Sequence, residues 1–109
     1  MKKVLTIIPA SLLLLIGIVR LPVLAGSCTP TIYVNSNGII VGGPNNGKIY
    51  LGQLVGTDGN DCIHGTANRD NIYGKGGDDI ILGFAGTDTI LGGDGNDQLF
   101  GGDDADIGA

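Results

Sequence analysis

Residues 92–109 read GGDGNDQLFGGDDADIGA, and this stretch decides how the rest of the chain is parsed. Cut into nines it becomes GGDGNDQLF and GGDDADIGA, each opening on Gly and each carrying Asp at the sixth place. Working outward towards the N-terminus, the same frame yields GFAGTDTIL, GKGGDDIIL, GTANRDNIY and GTDGNDCIH, back to Gly56, without a slip. The first place is Gly56, Gly65, Gly74, Gly83, Gly92 and Gly101. The sixth is Asp61, Asp70, Asp79, Asp88, Asp97 and Asp106. The eighth is Ile63, Ile72, Ile81, Ile90 and Leu99, then Gly108. Glycine is only about 7% of an average protein, so matches at this constant spacing mark an internal repeat that fills half the chain.

Composition limits what surrounds the repeat. With 109 residues, 21 of them Gly, and no Trp, the chain can build one small domain with a thin core. All 11 acidic residues are Asp and lie between Asp58 and Asp106, against only Arg69 and Lys75 in that segment. Residues 56–109 therefore carry 2 − 11 = −9. Such charge in a glycine-rich segment opposes compaction, so a positive species must enter if the segment is to fold. The same sign disfavours nucleic acid as a partner. A stand-alone enzyme is also disfavoured, because the chain has no Glu, a single His and no nucleophile motif.

The N-terminus speaks to compartment. Met1-Lys2-Lys3, the apolar run Val4–Val19 and the Val23-x-Ala25 ending describe a secretory signal peptide over residues 1–25, cleaved after Ala25. Two other readings stay open: an uncleaved membrane anchor, and a lipobox at Ala25-Gly26-Ser27-Cys28 that would lipidate Cys28. Each places the repeat outside the cytoplasm, secreted, extracellular or at the cell surface. Cys28 and Cys62 could then pair as a disulfide or remain as two thiols. A zinc site from Cys28, Cys62 and His64 lacks a fourth ligand and paired spacing.

Residues 26–55 read as a β-rich cap or a decayed repeat. Thr31–Val34 and Ile39–Val41 flank Asn35-Ser36-Asn37-Gly38, a hairpin signal, and Lys48–Leu51 could pair next. A cap would cover the first open strand edge of the array. Gly42–Lys48 imitates a phosphate-binding loop, but Ile49 replaces the required Ser or Thr and no helix signal follows, so it reads as a turn.

Within each nonapeptide, Gly at the first place and usually at the fourth suits a tight turn with positive φ and exposed carbonyls. The three residues after Asp form a short strand whose eighth place faces one way and whose seventh and ninth face the other. Stacked strands would align Ile63, Ile72, Ile81, Ile90 and Leu99 in a narrow apolar seam. That seam is small against the entropy of ordering a segment so rich in glycine. A hard divalent cation supplies what is missing. Asp carboxylates and backbone carbonyls are its natural ligands, and Ca²⁺ tolerates irregular turn geometry better than Mg²⁺. The ninth place, His64, Tyr73, Leu82, Leu91 and Phe100, would share the outward direction as an apolar stripe, open to self-association or to a cell-surface partner.

These blocks resemble the repeats-in-toxin, or hemolysin-type, calcium-binding nonapeptide, G-G-x-G-x-D-x-U-x with U a large aliphatic residue. GGDGNDQLF fits it throughout, and GTDGNDCIH departs only at Thr57. The resemblance implies an all-β fold: a parallel β-roll of about three two-turn coils over residues 56–109, preceded by the hairpin-like cap. It implies Ca²⁺ between turns of consecutive coils, held by Asp61, Asp79 and Asp97 on one edge and by Asp70, Asp88 and Asp106 on the other. Turn backbone near Gly56, Gly59, Gly74, Gly77, Gly83, Gly86, Gly92 and Gly95 would add carbonyls. Three coils leave room for up to about four ions, which would bring −9 to about −1. The first edge, with Gly at every fourth place, is expected to bind more tightly than the second, which carries Arg69 and Asp104. Asp58, Asp94 and Asp103, with Asp78, read as solvated charge. The binding or surface-structural role of such a secreted roll has an alternative, a truncated remnant of a larger exported toxin, adhesin or enzyme.

Overall fold

The structure is a computed structural model that describes residues 28–102 and 107–108. Residues 1–25 of the expected signal peptide lie outside the described residues, as do Asp103, Asp104 and Asp106. Among the described residues no helix is long and apolar enough to cross a membrane.

Among the described residues nine short strands follow one another: β1 (Tyr33–Val34), β2 (Ile40–Val41), β3 (Gln53–Val55), β4 (Cys62–His64), β5 (Asn71–Tyr73), β6 (Ile80–Leu82), β7 (Thr89–Leu91), β8 (Gln98–Phe100) and β9 (Ile107–Gly108). From β3 onward they alternate between two parallel sheets. One has the order β3-β5-β7-β9 and the other β4-β6-β8. Neighbours in a sheet are therefore 18 residues apart, as Ile72 opposite Ile90 and Ile63 opposite Ile81 show. Two nonapeptides complete one coil, and the chain is an all-β parallel β-roll.

The eighth place forms the core because every strand turns that side chain towards the opposite sheet. Leu54, Ile63, Ile72 and Ile81 are fully buried and Ile90 nearly so, with Leu99 partly buried against them. Leu54 belongs to this seam, and β3 pairs with β5 through Gln53, Leu54 and Val55. The roll thus begins at Gln53, three residues before the boundary drawn at Gly56. Asp is absent from the turn before β3, but its strand still offers a large aliphatic residue at the inward position.

The preceding segment closes one end. β1 and β2 form an antiparallel hairpin whose turn is held by Asn35 Oδ1, which accepts the N–H groups of Asn37 and Ile39 at 2.9 and 3.0 Å. Lys48–Leu51 does not form a full third strand; only Ile39 and Ile49 bridge. Thr31 and Ile32 lie on the edge of β4, where both N–H groups donate to Cys62 O and Ile32 O accepts from His64 N–H. Ile32 and Ile40 enter the core at that end. Cys28 is bonded to Cys62 with Cα atoms 6.1 Å apart, pinning the start of this cap to the first strand of its sheet. Gly42–Lys48 is a pair of turns closed by backbone bonds, Asn46 N–H to Gly43 O and Lys48 N–H to Asn45 O, with no helix after it.

The ninth place does not make one exposed stripe. Because successive strands enter different sheets, Val55, Tyr73 and Leu91 line one face while His64, Leu82 and Phe100 line the other. Leu82 is buried, since its register neighbours on either side carry the larger rings of His64 and Phe100. The His64 ring also meets the Phe84 ring edge to face at 5.2 Å. Cys62, at a seventh place, is buried as well, beneath the disulfide-linked cap.

Candidate metal centre

The turns between strands stack into two edges, and the sixth-place aspartates form a column inside each. On the first edge Asp61 N–H donates to Asp79 Oδ1 at 2.8 Å, and Asp79 N–H to Asp97 Oδ1 at 2.9 Å. On the second, Asp70 N–H donates to Asp88 Oδ1 at 2.8 Å. One oxygen of each acceptor carboxylate thus clamps the coil before it. The structure brings together Asp61, Asp79 and Asp97, and separately Asp70 and Asp88; Asp106 lies outside the described residues.

The second oxygen faces inward, and the first-place glycine makes room for it. A Cβ on Gly65 would lie 2.6 Å from Asp70 Oδ2 and 2.9 Å from the carbonyl oxygen of Gly83, one coil on. A Cβ on Gly74 would meet Asp79 Oδ2 and Gly92 O, both at 2.5 Å, and one on Gly56 would meet Asp61 Oδ2 at 2.8 Å. Carboxylate and carbonyl oxygens from consecutive coils therefore converge where any side chain would intrude. This corrects the turn reading. First-place glycines have no positive φ; the left-handed residues are Gly77, Gly86 and Gly95 at the fourth place and Lys75, Phe84, Gly93 and Gly102 at the second. Lys75 and Phe84 carry the strain of a left-handed non-glycine residue, of order 1–2 kcal/mol each.

The first coil is built differently, and the sequence signal is threonine at the second place. Thr57 N–H donates to Asp61 Oδ2 at 2.7 Å and its hydroxyl donates to the same carboxylate at 3.0 Å. Thr66 does the same for Asp70, at 2.6 Å from N–H to Oδ2 and 2.9 Å from hydroxyl to Oδ1. Each hydroxyl also accepts the N–H two residues on, from Gly59 and Asn68. Tyr50, from the cap, donates its phenol to Asp70 Oδ1. Sequence reasoning missed these donors. Thr57 and Thr66 are two of the four departures from Gly at the second place and the two that carry a hydroxyl, whereas nothing in the repeat pattern points to Tyr50.

In the second coil Asp79 shows a demand for positive charge that its hydrogen bonds do not meet. Asp79 is buried and its Oδ2 has no hydrogen-bond partner, an arrangement that costs heavily for a carboxylate unless a cation or proton completes it. Burial pushes the Asp79 carboxyl above its ordinary value; the N–H of Asp61 pulls it back, and repulsion from Asp61, Asp97 and Asp78 adds to the rise. Asp70 is pushed up to about 6, first by burial, against the Thr66 N–H bond and with the Asp88 charge adding to it. Stacked carboxylates, an orphaned oxygen and converging carbonyls make an all-oxygen donor set, which suits Ca²⁺.

Other sequence candidates stand apart. Asp58 and Asp94 are exposed, and Asp58 lies 3.9 Å from Lys75 in a surface pair worth little. Asp78 is exposed too, yet its Oδ1 accepts the Asn96 N–H, a use the sequence reading did not foresee. Cys28, Cys62 and His64 lie with ligand atoms within 4.8 Å of one another, but the disulfide occupies both sulfurs.

Compared with known families, residues 53–81 and 82–107, together half of the chain, match the RTX calcium-binding nonapeptide repeat. The chain belongs to this family. Its first match begins at Gln53, where the parallel sheet begins. Comparison with curated proteins and with solved structures gives no match. RTX repeats bind Ca²⁺ and form β-rolls, and the aspartate columns are where the oxygens of this roll converge.

Proposed function

We propose that this RTX protein is secreted, that its roll folds on binding up to about four calcium ions between stacked turns, and that the folded roll has a binding or surface-structural role outside the cell. The orphaned Asp79 Oδ2, buried in the middle turn of the first edge, carries the reading. That turn faces Asp61 on one side and Asp97 on the other, so it can serve two ions. On the second edge Asp70 and Asp88 frame a third site, and the nonapeptide register assigns a fourth to Asp88 with Asp106. Outside the cell calcium is abundant and cysteines oxidise, which agrees with both the acidic columns and the Cys28–Cys62 bond.

Calorimetry and far-ultraviolet circular dichroism of the oxidised protein, titrated with Ca²⁺ and separately with Mg²⁺, test the proposal. Calcium should induce the β signal with several ions bound per chain, and magnesium should do so poorly. An unchanged spectrum at millimolar calcium overturns it. The intact mass of the exported chain tests secretion, with cleavage after Ala25 expected.

A further inference from the structure

The two edges differ at a position that the repeat consensus leaves free. At the fifth place the first edge carries Asn60, Asp78 and Asn96, and each of these side chains ends in a carbonyl or carboxylate oxygen. Asn60 Oδ1 accepts the N–H of Asp78 at 2.7 Å, and Asp78 Oδ1 accepts the N–H of Asn96 at 2.8 Å. These rungs run one coil apart, beside the Asp61–Asp79–Asp97 column and opposite in sense to its bonds: in the rungs the donor belongs to the later coil, in the column to the earlier. The second edge carries Arg69 and Thr87 at this place. A guanidinium has no acceptor, so Arg69 cannot receive the Thr87 N–H.

We propose that Asn60 and Asp78 are positioning residues that set the first edge for calcium, so that its two sites fill before those of the second. This rests on the calcium reading above and names what distinguishes sites that share the same aspartates. The rungs fix adjacent turns at the spacing at which the sixth-place carboxylates and turn carbonyls converge. Ordering entropy that the second edge loses when the ion arrives is in part already lost on the first, and preorganisation of this kind raises affinity. Asp78 acts through its carbonyl-type oxygen, and its charge is incidental to the rung. All three side chains are exposed, so the bonds are at the weak end of their class. One such bond changes the folding constant about threefold, and two about ninefold. Shared between two ions, the loss of both rungs raises half-saturating calcium on this edge about threefold.

The test is a calcium titration of the ¹⁵N-labelled oxidised protein, following the amide signals of Asp61 and Asp79 for the first edge and of Asp70 for the second. In the wild type the first pair should reach the bound position at lower calcium than Asp70. Asn60→Ala/Asp78→Ala should raise the midpoint of the first edge about threefold and leave Asp70 within error. Asp78→Asn, which keeps the oxygen and removes the charge, should hold the midpoint that Asp78→Ala loses. Arg69→Asn offers Thr87 an acceptor and should tighten the second edge about twofold relative to Arg69→Ala, which removes the same charge without one. Simultaneous filling of both edges in the wild type, or equal effects of Asp78→Asn and Asp78→Ala, overturns the positioning role while the calcium reading stands. Amides that ignore calcium overturn both.

Discussion

Breaking the Cys28–Cys62 bond should change how much calcium the roll requires. The bond spans 34 residues and ties the cap to β4, whose edge Thr31 and Ile32 cover. Closing a loop of that length lowers unfolded-state entropy by an amount worth about 4 kcal/mol. In an equilibrium constant that is about three decades. If four ions bind only the folded chain, the loss is shared among them, and the calcium midpoint rises by about the fourth root, roughly fivefold. With only two coupled ions the rise would be about thirtyfold, so its size reports how many ions are linked to folding. Cys28→Ala/Cys62→Ala and the oxidised wild type would be titrated with calcium side by side, following the β signal by circular dichroism. Equal midpoints would refute the argument, because they would mean that the cap stays docked, or stays undocked, regardless of its tether.

Three other perturbations separate the parts of the site. Asp79→Ala removes both the clamp on Asp61 and the orphaned oxygen, so it should lower bound calcium and weaken affinity at least tenfold in calorimetry; Asp58→Ala, at an exposed surface pair, should change it less than twofold. For Asp70, raised to about 6 in the fold against 3.8 for the free carboxyl, the calcium-free fold holds its proton more tightly than the unfolded chain. Its contribution therefore favours the calcium-free fold at low pH and is lost as pH rises through about 4 to 6, while calcium, which needs the carboxylate, should bind its site about tenfold more weakly at pH 5 than at pH 7. Circular dichroism of calcium-free protein across that range, with calcium titrations at both ends, checks the two signs. Gly47→Ala and Gly93→Ala share a φ of +88°, but a Cβ on Gly47 meets nothing within 4 Å, whereas one on Gly93 would overlap the Lys75 carbonyl. Denaturation in saturating calcium should show about 1 kcal/mol lost at Gly47 and clearly more at Gly93, the difference measuring how closely consecutive turns are stacked.

Much of the roll was legible because its chemistry repeats. Gly at the first place and Asp at the sixth recur every nine residues, and the structure puts each described Asp of that set into one of two columns. The inward position was equally plain, since a three-residue strand with an aliphatic centre has only one side to bury. What escaped was whatever repeats every 18 residues or not at all. Asn60, Asp78 and Asn96 form a series only when alternate blocks are compared, and the ninth-place residues separate into two faces for the same reason. Thr57 was read as a departure from Gly and Thr66 passed unremarked, although a hydroxyl and a free N–H beside a buried carboxylate are what the end of a column needs. Tyr50 carried no signal, because its partnership with Asp70 depends on how the cap folds back.

The linear sequence by itself determined the period, the inward seam and the excess of negative charge that calls for a cation. These follow from local rules: a turn needs glycine, a strand alternates its faces, and like charges resist compaction. Only the tertiary structure decided which aspartate meets which, that the first coil satisfies its carboxylates with threonine and tyrosine, and that Asp79 keeps a buried oxygen without a partner. The aspartate pairing and the Tyr50 bond depend on contacts between residues 18 or 20 apart, whose energies arise when one coil lies on the next, and the threonine bonds, only four residues long, matter because the same packing buries the carboxylates they serve.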